Sequence, residues 1–226
     1  MNVCELFLSI EGEGKRTGQP CVFVRKSQCN MRPYCSYCDS RYSFAKDPNG
    51  DYTVPQLLDK VNEISCGCRA VTFTGGEPLY CEDKNDFEET RRFILELEKL
   101  GYEVNVETNG SVDLLNWCGY VTGNGFFTMD WKSISSNASY NMIESNLYVL
   151  GENDVLKFVV GTQEDLDQMR DVLNSHKVKA QVYVSPVFGK IELKNIVDYV
   201  LSNKLWNVRT QCQLHKIVWS PDARGV

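Results

Sequence analysis

Short apolar, β-branched runs alternate with amphipathic helical patterns along most of this 226-residue chain. That alternation restricts the fold, because strand–helix–strand crossovers are right-handed and lay successive strands into a parallel sheet. Residues 21–25, 70–74, 103–107, 126–130, 155–160, 181–184 and 214–219 read as strands, and 6–10 as a first one. Helical periodicity covers 54–64, 87–100, 164–175 and 194–204. Thr53 with Gln56, and Asp86 with Glu89, have capping-box spacing. In the second helix Phe87, Phe93, Ile94, Leu97 and Leu100 fall on one sheet-covering stripe, and Gly101 follows as a stop. About six such units make an α/β fold, either a doubly wound sheet or an open, incomplete barrel. The length fits one domain spanning 1–226.

In parallel α/β folds function gathers at the carboxyl ends of the strands. Here each strand runs out into polar residues. The strand ending near Arg25 leads into a cysteine loop, and 70–74 runs into Gly75, Gly76, Glu77 and Pro78. Glu107 precedes Thr108, Asn109 and Gly110. Asp130 and Lys132 end the next strand, Ser185 opens a loop to Gly189, and His215 and Lys216 lie on the last. Their recurrence implies one polar mouth. Paired glycines at a strand end allow a ligand to approach the backbone closely, and Glu77 adds an acceptor for an ammonium group. Glu107 could equally be a surface carboxylate, Asp130 and Lys132 an ordinary ion pair, His215 a packed ring and Arg25 an internal ion-pair partner.

Cys29, Cys35 and Cys38 stand within ten residues. Three thiolates cannot close a tetrahedral metal site alone, but they can hold three irons of a cubane cluster and leave the fourth open for chemistry. Structural zinc is the competing reading, with a fourth ligand from Cys66, Cys68, Cys81 or His215. The other cysteines are scattered and read mostly as small packing residues.

The net charge of −6 argues against a large basic footprint for nucleic acid. There is no signal-peptide pattern and no apolar run near the roughly 20 residues that span a bilayer, so the expectation is no membrane and a cytoplasmic protein. No Walker loop, G-x-G-x-x-G or G-x-S-x-G occurs.

Taken together, the cysteine loop and the Thr74-to-Pro78 motif resemble the radical S-adenosylmethionine (SAM) enzymes. The leading Glu11-Gly-Glu-Gly14, Glu107-Thr-Asn-Gly110 and Gln213-Leu-His-Lys216 make the chain similar to the 7-carboxy-7-deazaguanine synthase family within them. The resemblance implies an incomplete (β/α)6-type partial barrel with a mostly parallel sheet, usually a homodimer. It implies a [4Fe-4S] cluster on Cys29, Cys35 and Cys38, and SAM held at Tyr37, Asp39, Gly76, Glu77, Asp130, Lys132, Ser185 and Phe188. Substrate positions would be Ile10, Glu11, Gly12, Glu13, Arg25, Thr74, Glu107, Asn109 and His215, and Ser40 would contact Mg²⁺. The implied reaction converts 6-carboxy-5,6,7,8-tetrahydropterin to 7-carboxy-7-deazaguanine with loss of ammonia, in queuosine-precursor biosynthesis. A flavodoxin- or ferredoxin-type donor would supply the electron.

Three features depart from that pattern. The cysteine spacing is C-x5-C-x2-C, with Pro33 and Tyr34 as a two-residue insertion; Glu11 stands where glutamine is common; and the chain runs on from Pro221 to Val226, which would bring Arg224 toward the site. Other functional classes that fit are a radical SAM activase acting on a partner protein and a zinc-binding interaction module.

Overall fold

The computed structural model describes residues 1–123 and 125–226. Eight strands form one sheet in sequence order: β1 (Val3–Ile10), β2 (Pro20–Lys26), β3 (Ala70–Gly75), β4 (Glu103–Thr108), β5 (Phe126–Trp131), β6 (Val155–Val160), β7 (Gln181–Pro186) and β8 (Val208–Thr210). β1 pairs antiparallel with β2, and all later neighbours pair in parallel. A doubly wound sheet reverses its strand order at a switch point. This order never reverses, so the open, incomplete barrel is the correct alternative. Among the described residues no ladder joins β1 to β8.

The helices are α1 (Val54–Ser65), α2 (Lys84–Lys99), α3 (Asn146–Val149), α4 (Gln163–Ser175), α5 (Leu193–Ser202) and α6 (His215–Val218). The Thr53–Gln56 capping box forms as expected, each residue bonding the other's backbone. On α2 the cap is Asp83 and not Asp86: Asp83 accepts from the Asp86 amide, while the Asp86 carboxylate pairs with Lys26 at 3.0 Å. Phe93, Ile94 and Leu97 are fully buried along the expected stripe, whereas Leu100 closes the helix largely exposed. Among the described residues the connections from β4 to β5 and from β5 to β6 lack a long helix. There Leu114 and Trp117 cover the sheet, with Trp117 packed on Phe87 of α2 at 4.7 Å.

One expected strand is wrong. Residues 214–219 hold the helical turn α6, and the eighth strand is the three-residue β8. The apolar run is not a buried strand, since Ile217 and Val218 face solvent, and an unbroken short run carries no period that separates strand from helix.

Along each parallel strand, alternate residues face opposite sides. Val22, Val24, Val71, Phe73, Val104, Val106, Leu156 and Phe158 pack beneath the helices in the main core. The intervening positions face the barrel interior. They hold buried Thr72, Asn105 and Thr128 lower down and Arg25, Thr74, Glu107, Asp130 and Lys157 toward the carboxyl ends.

Candidate active site

Period-two alternation explains why side chains from five different strands meet. Arg25 is in register with Thr74, and Asp130 with Lys157, so they sit side by side on the interior face. Above them opens a cavity of about 660 Å³. It is lined by those five residues, Glu107 included, by the three thiols of the cysteine loop, by Gly75 and Gly76, and by the segment after β8.

Gly75 and Gly76 serve a backbone role. A Cβ on Gly75 would lie 2.4 Å from the Lys26 carbonyl, and one on Gly76 would lie 2.3 Å from the Gln28 carbonyl and 2.8 Å from Cys29 Cβ. The end of β3 thereby packs against the start of the cysteine loop, where the Glu77 amide donates to the Gln28 carbonyl at 2.9 Å. The loop carries its two extra residues in an ordered way: Tyr34 stacks on Phe44 at 3.9 Å, and the Arg32 guanidinium lies over Tyr34. Cys29 and Cys35 are buried and Cys38 is half-buried, all on the cavity wall.

The charges are arranged in chains. Lys132 Nζ contacts Asp130 at 2.7 Å; Lys157 Nζ lies 3.2 Å from Asp130 and 3.3 Å from Glu13. Burial alone would raise the Asp130 carboxyl, yet Lys132 and Lys157 outweigh it and hold the pKa below its ordinary value. The Glu107 carboxyl is pushed up to about 7, by burial first, with Glu11 and Asp130 adding and Lys157 opposing. At the other end Glu5 accepts from Arg25 Nε at 2.8 Å and from Tyr42 at 2.6 Å, with Arg224 Nε at 3.3 Å. Arg224 also lies over the Tyr42 ring, 3.6 Å from its centroid, so the chain after Pro221 does enter the cavity wall.

Residues 25–122 match the family model described as the Radical SAM superfamily. Over 234 residues the chain is 39% identical to the 7-carboxy-7-deazaguanine synthase of Clostridium acetobutylicum, covering 99% of this chain and 98% of that protein. The enzyme of the same name from Thermoplasma acidophilum is 33% identical, with both chains fully covered. This chain belongs to the 7-carboxy-7-deazaguanine synthase family. The fold agrees with the crystal structure of QueE from Escherichia coli, at a TM-score of 0.71, 20% identity and 95% and 94% coverage of the two chains. Streptococcus suis SuiB bound to S-adenosylmethionine shares the fold at a TM-score of 0.58 and 12% identity, over 88% of this chain and 51% of that one.

Of the positions that the resemblance to this synthase family assigned to the site, all but two line the cavity. Glu77 is completely buried below it. Its carboxylate accepts from the Asn109 amide at 2.6 Å, the Leu79 amide at 3.1 Å and the Thr108 hydroxyl at 2.9 Å, so it braces the turn after β4. Ser185 is also buried, and donates to Glu13 at 2.6 Å. His215 packs so tightly on Gly12 that a Cβ there would lie 2.1 Å from Nδ1. Tyr37 reaches Ser133 Oγ at 3.2 Å, and Lys216 pairs with Asp39 at 2.9 Å. Glu11 is matched by a countercharge five residues on, Arg16 at 2.9 Å, and shares a short contact with the Thr72 hydroxyl.

Lys157 was not among the expected residues. A lone lysine within the apolar run 155–160 is the signal that marks it, since a buried ammonium needs a carboxylate partner. The scattered cysteines divide: Cys21 is buried as a packing residue, whereas Cys66 and Cys118 are exposed.

The three thiols are donors of the type that an iron–sulfur cluster takes, and among the described residues no three His, Cys, Asp or Glu side chains stand close enough to hold a single metal ion. Three soft thiols face one cavity, and burial pushes the Cys29 thiol up to about 11, with Glu77, Cys35 and Cys38 adding to the rise. A thiol so placed needs bound positive charge to stay ionised. The zinc reading loses three of its four candidate fourth ligands. Cys66 and Cys68 precede β3 whereas the cysteine loop meets its far end, roughly 20 Å away at ~3.3 Å per strand residue. Cys81 faces Lys26 and Thr90.

Proposed function

We propose that this chain is a radical SAM synthase that converts 6-carboxy-5,6,7,8-tetrahydropterin to 7-carboxy-7-deazaguanine and ammonia. The carrying observation is that three cysteine thiols and a carboxylate-binding candidate, Arg25, line one cavity in a chain related over its full length to synthases of that name. The conversion retains every carbon, and one ring nitrogen departs as ammonia.

Cys29, Cys35 and Cys38 would hold a [4Fe-4S] cluster, which with SAM supplies reductive formation of a 5′-deoxyadenosyl radical. Asp130, Lys132, Tyr37, Asp39 and Phe188 surround the SAM side, with the Gly76 backbone. On the substrate side Arg25 offers its terminal guanidinium nitrogens, because Glu5 engages only Nε. Ile10, Gly12, Glu13, Thr74, Asn109 and His215 complete that wall, and Ser40 would give one hydroxyl oxygen to Mg²⁺. Glu107, with its pKa near 7, is able to hold or release a proton at its carboxyl oxygens at neutral pH. The segment 221–226 covers part of the cavity and limits entry of water. The reading extends to a flavodoxin- or ferredoxin-type electron donor, a homodimer and a cytoplasmic location. No helix among the described residues is long and apolar enough to cross a membrane.

The test is anaerobic incubation of reconstituted protein with the carboxytetrahydropterin, SAM, Mg²⁺ and a reductant, followed by mass spectrometry. The expected product is 7-carboxy-7-deazaguanine. SAM cleavage without that product, at saturating pterin, would refute the substrate and favour an activase.

A further inference from the structure

Lys157 lies mid-strand on the interior face of β6, its side chain 8% exposed. Its ammonium has two carboxylate neighbours, from different elements. Glu13, at 3.3 Å, comes from the loop after β1 and is also held by Ser185 at 2.6 Å and Gln213 at 3.4 Å. Asp130, at 3.2 Å, comes from β5 and is shared with Lys132, whose ammonium lies 2.7 Å from it. In the function proposed above Glu13 stands on the substrate wall and Asp130 on the cofactor wall, and one buried ammonium touches both.

We propose that Lys157 is a positioning residue that couples the two halves of the site, so that the pterin and SAM bind cooperatively and meet in reactive alignment. This rests on the function proposed above. A ligand that fixes Glu13 fixes the ammonium, and the ammonium in turn fixes Asp130; the effect is reciprocal by linkage. Hydrogen transfer needs close approach, so loosening this tie separates SAM cleavage from product formation.

The test uses anaerobically reconstituted holoenzyme and three variants. Lys157→Met keeps the aliphatic stem without the charge, Lys157→Arg keeps the charge, and Glu13→Gln removes one partner's charge at constant shape. Three quantities are measured: iron content, dissociation constants of the carboxytetrahydropterin by equilibrium dialysis with and without SAM in the absence of reductant, and 5′-deoxyadenosine formed per product under turnover. In the wild type SAM is expected to tighten pterin binding by about fivefold or more. In Lys157→Met and Glu13→Gln that factor falls to below about two at unchanged iron content, and deoxyadenosine per product rises by about tenfold. Lys157→Arg restores most of both. Retention of full coupling and an unchanged ratio in Lys157→Met overturns the inference, as does a wild type in which SAM leaves pterin affinity unaltered. Should Lys157→Met fail to fold, Glu13→Gln decides on the same two readouts. A wild type that cleaves SAM but never forms product from this pterin overturns the proposed function instead, and that result is visible before any variant is compared.

Discussion

Replacing Gly76 with alanine tests whether the end of β3 sets the position of the cysteine loop. The new Cβ would lie 2.3 Å from the Gln28 carbonyl oxygen and 2.8 Å from Cys29 Cβ, against the 3.4 Å at which contact becomes ordinary. The carbonyl must therefore retreat by 3.4 − 2.3, about 1.1 Å. Gln28 has little freedom to rotate away, being a non-glycine residue already at φ 76°. Overpacking of this kind costs about 1–3 kcal/mol, or roughly 3–9 °C in Tm at about 3 °C per kcal/mol for a chain of this size. Because the moved backbone carries Cys29, iron content should fall, and a displacement near 1 Å should slow SAM cleavage by about 10²-fold. Gly119→Ala is the control, since a Cβ there meets nothing within 4 Å. Thermal melts and iron and sulfide assays on both variants decide the matter. If Gly76→Ala melts with Gly119→Ala and carries the same iron, the reasoning fails.

Arg25→Ala should spare iron content and weaken carboxytetrahydropterin binding by about 10- to 100-fold, the worth of a charge-assisted hydrogen-bond pair; an unchanged Michaelis constant refutes this placement. Glu107 has a folded pKa of about 7, above the ordinary 4.5. Its contribution to stability is therefore full below about pH 4.5 and is lost as the pH rises through 7. Glu107→Gln should flatten that decline, of a few kcal/mol at most at ~1.4 kcal/mol per pKa unit, in urea titrations at pH 5 and pH 8. An equal decline in both proteins would count against it. Thr53→Ala should destabilise the protein by about 1 kcal/mol through loss of the α1 cap, with cluster content unaffected, as urea midpoints and iron assays would register.

The strands were legible where burial on both faces leaves β-branched runs, as at 70–74 and 155–160, and helix starts were legible where side chains cap them, as at Thr53. The site was legible for a related reason: a parallel strand ending in polar residues has few purposes besides a mouth, and Arg25, Thr74, Glu107 and Asp130 meet there. What escaped depended on partners far along the chain. Nothing local to Asp86 says that Lys26 claims its carboxylate and leaves capping to Asp83. Nothing in 214–219 says that the Leu214 amide is taken by the Gly12 carbonyl at 2.9 Å, which starts a helical turn where a strand was expected. Glu77 looked free to meet a ligand, yet three donors from the turns after β3 and β4 occupy it.

The wall between β1 and β8 differs from every other part of the barrel. Neighbouring strands elsewhere are zipped by continuous ladders, whereas here the segments after β1 and β8 meet through the Gly12 carbonyl with the Leu214 amide, the Gly14 amide with Gln211, Glu13 with Gln213 and the His215 ring on Gly12, with Arg224 reaching Glu5. Parting them breaks no ladder and leaves every strand intact. A join without a ladder should open before the sheet does, so amide exchange at Gly14 and Leu214 should outpace exchange within the sheet.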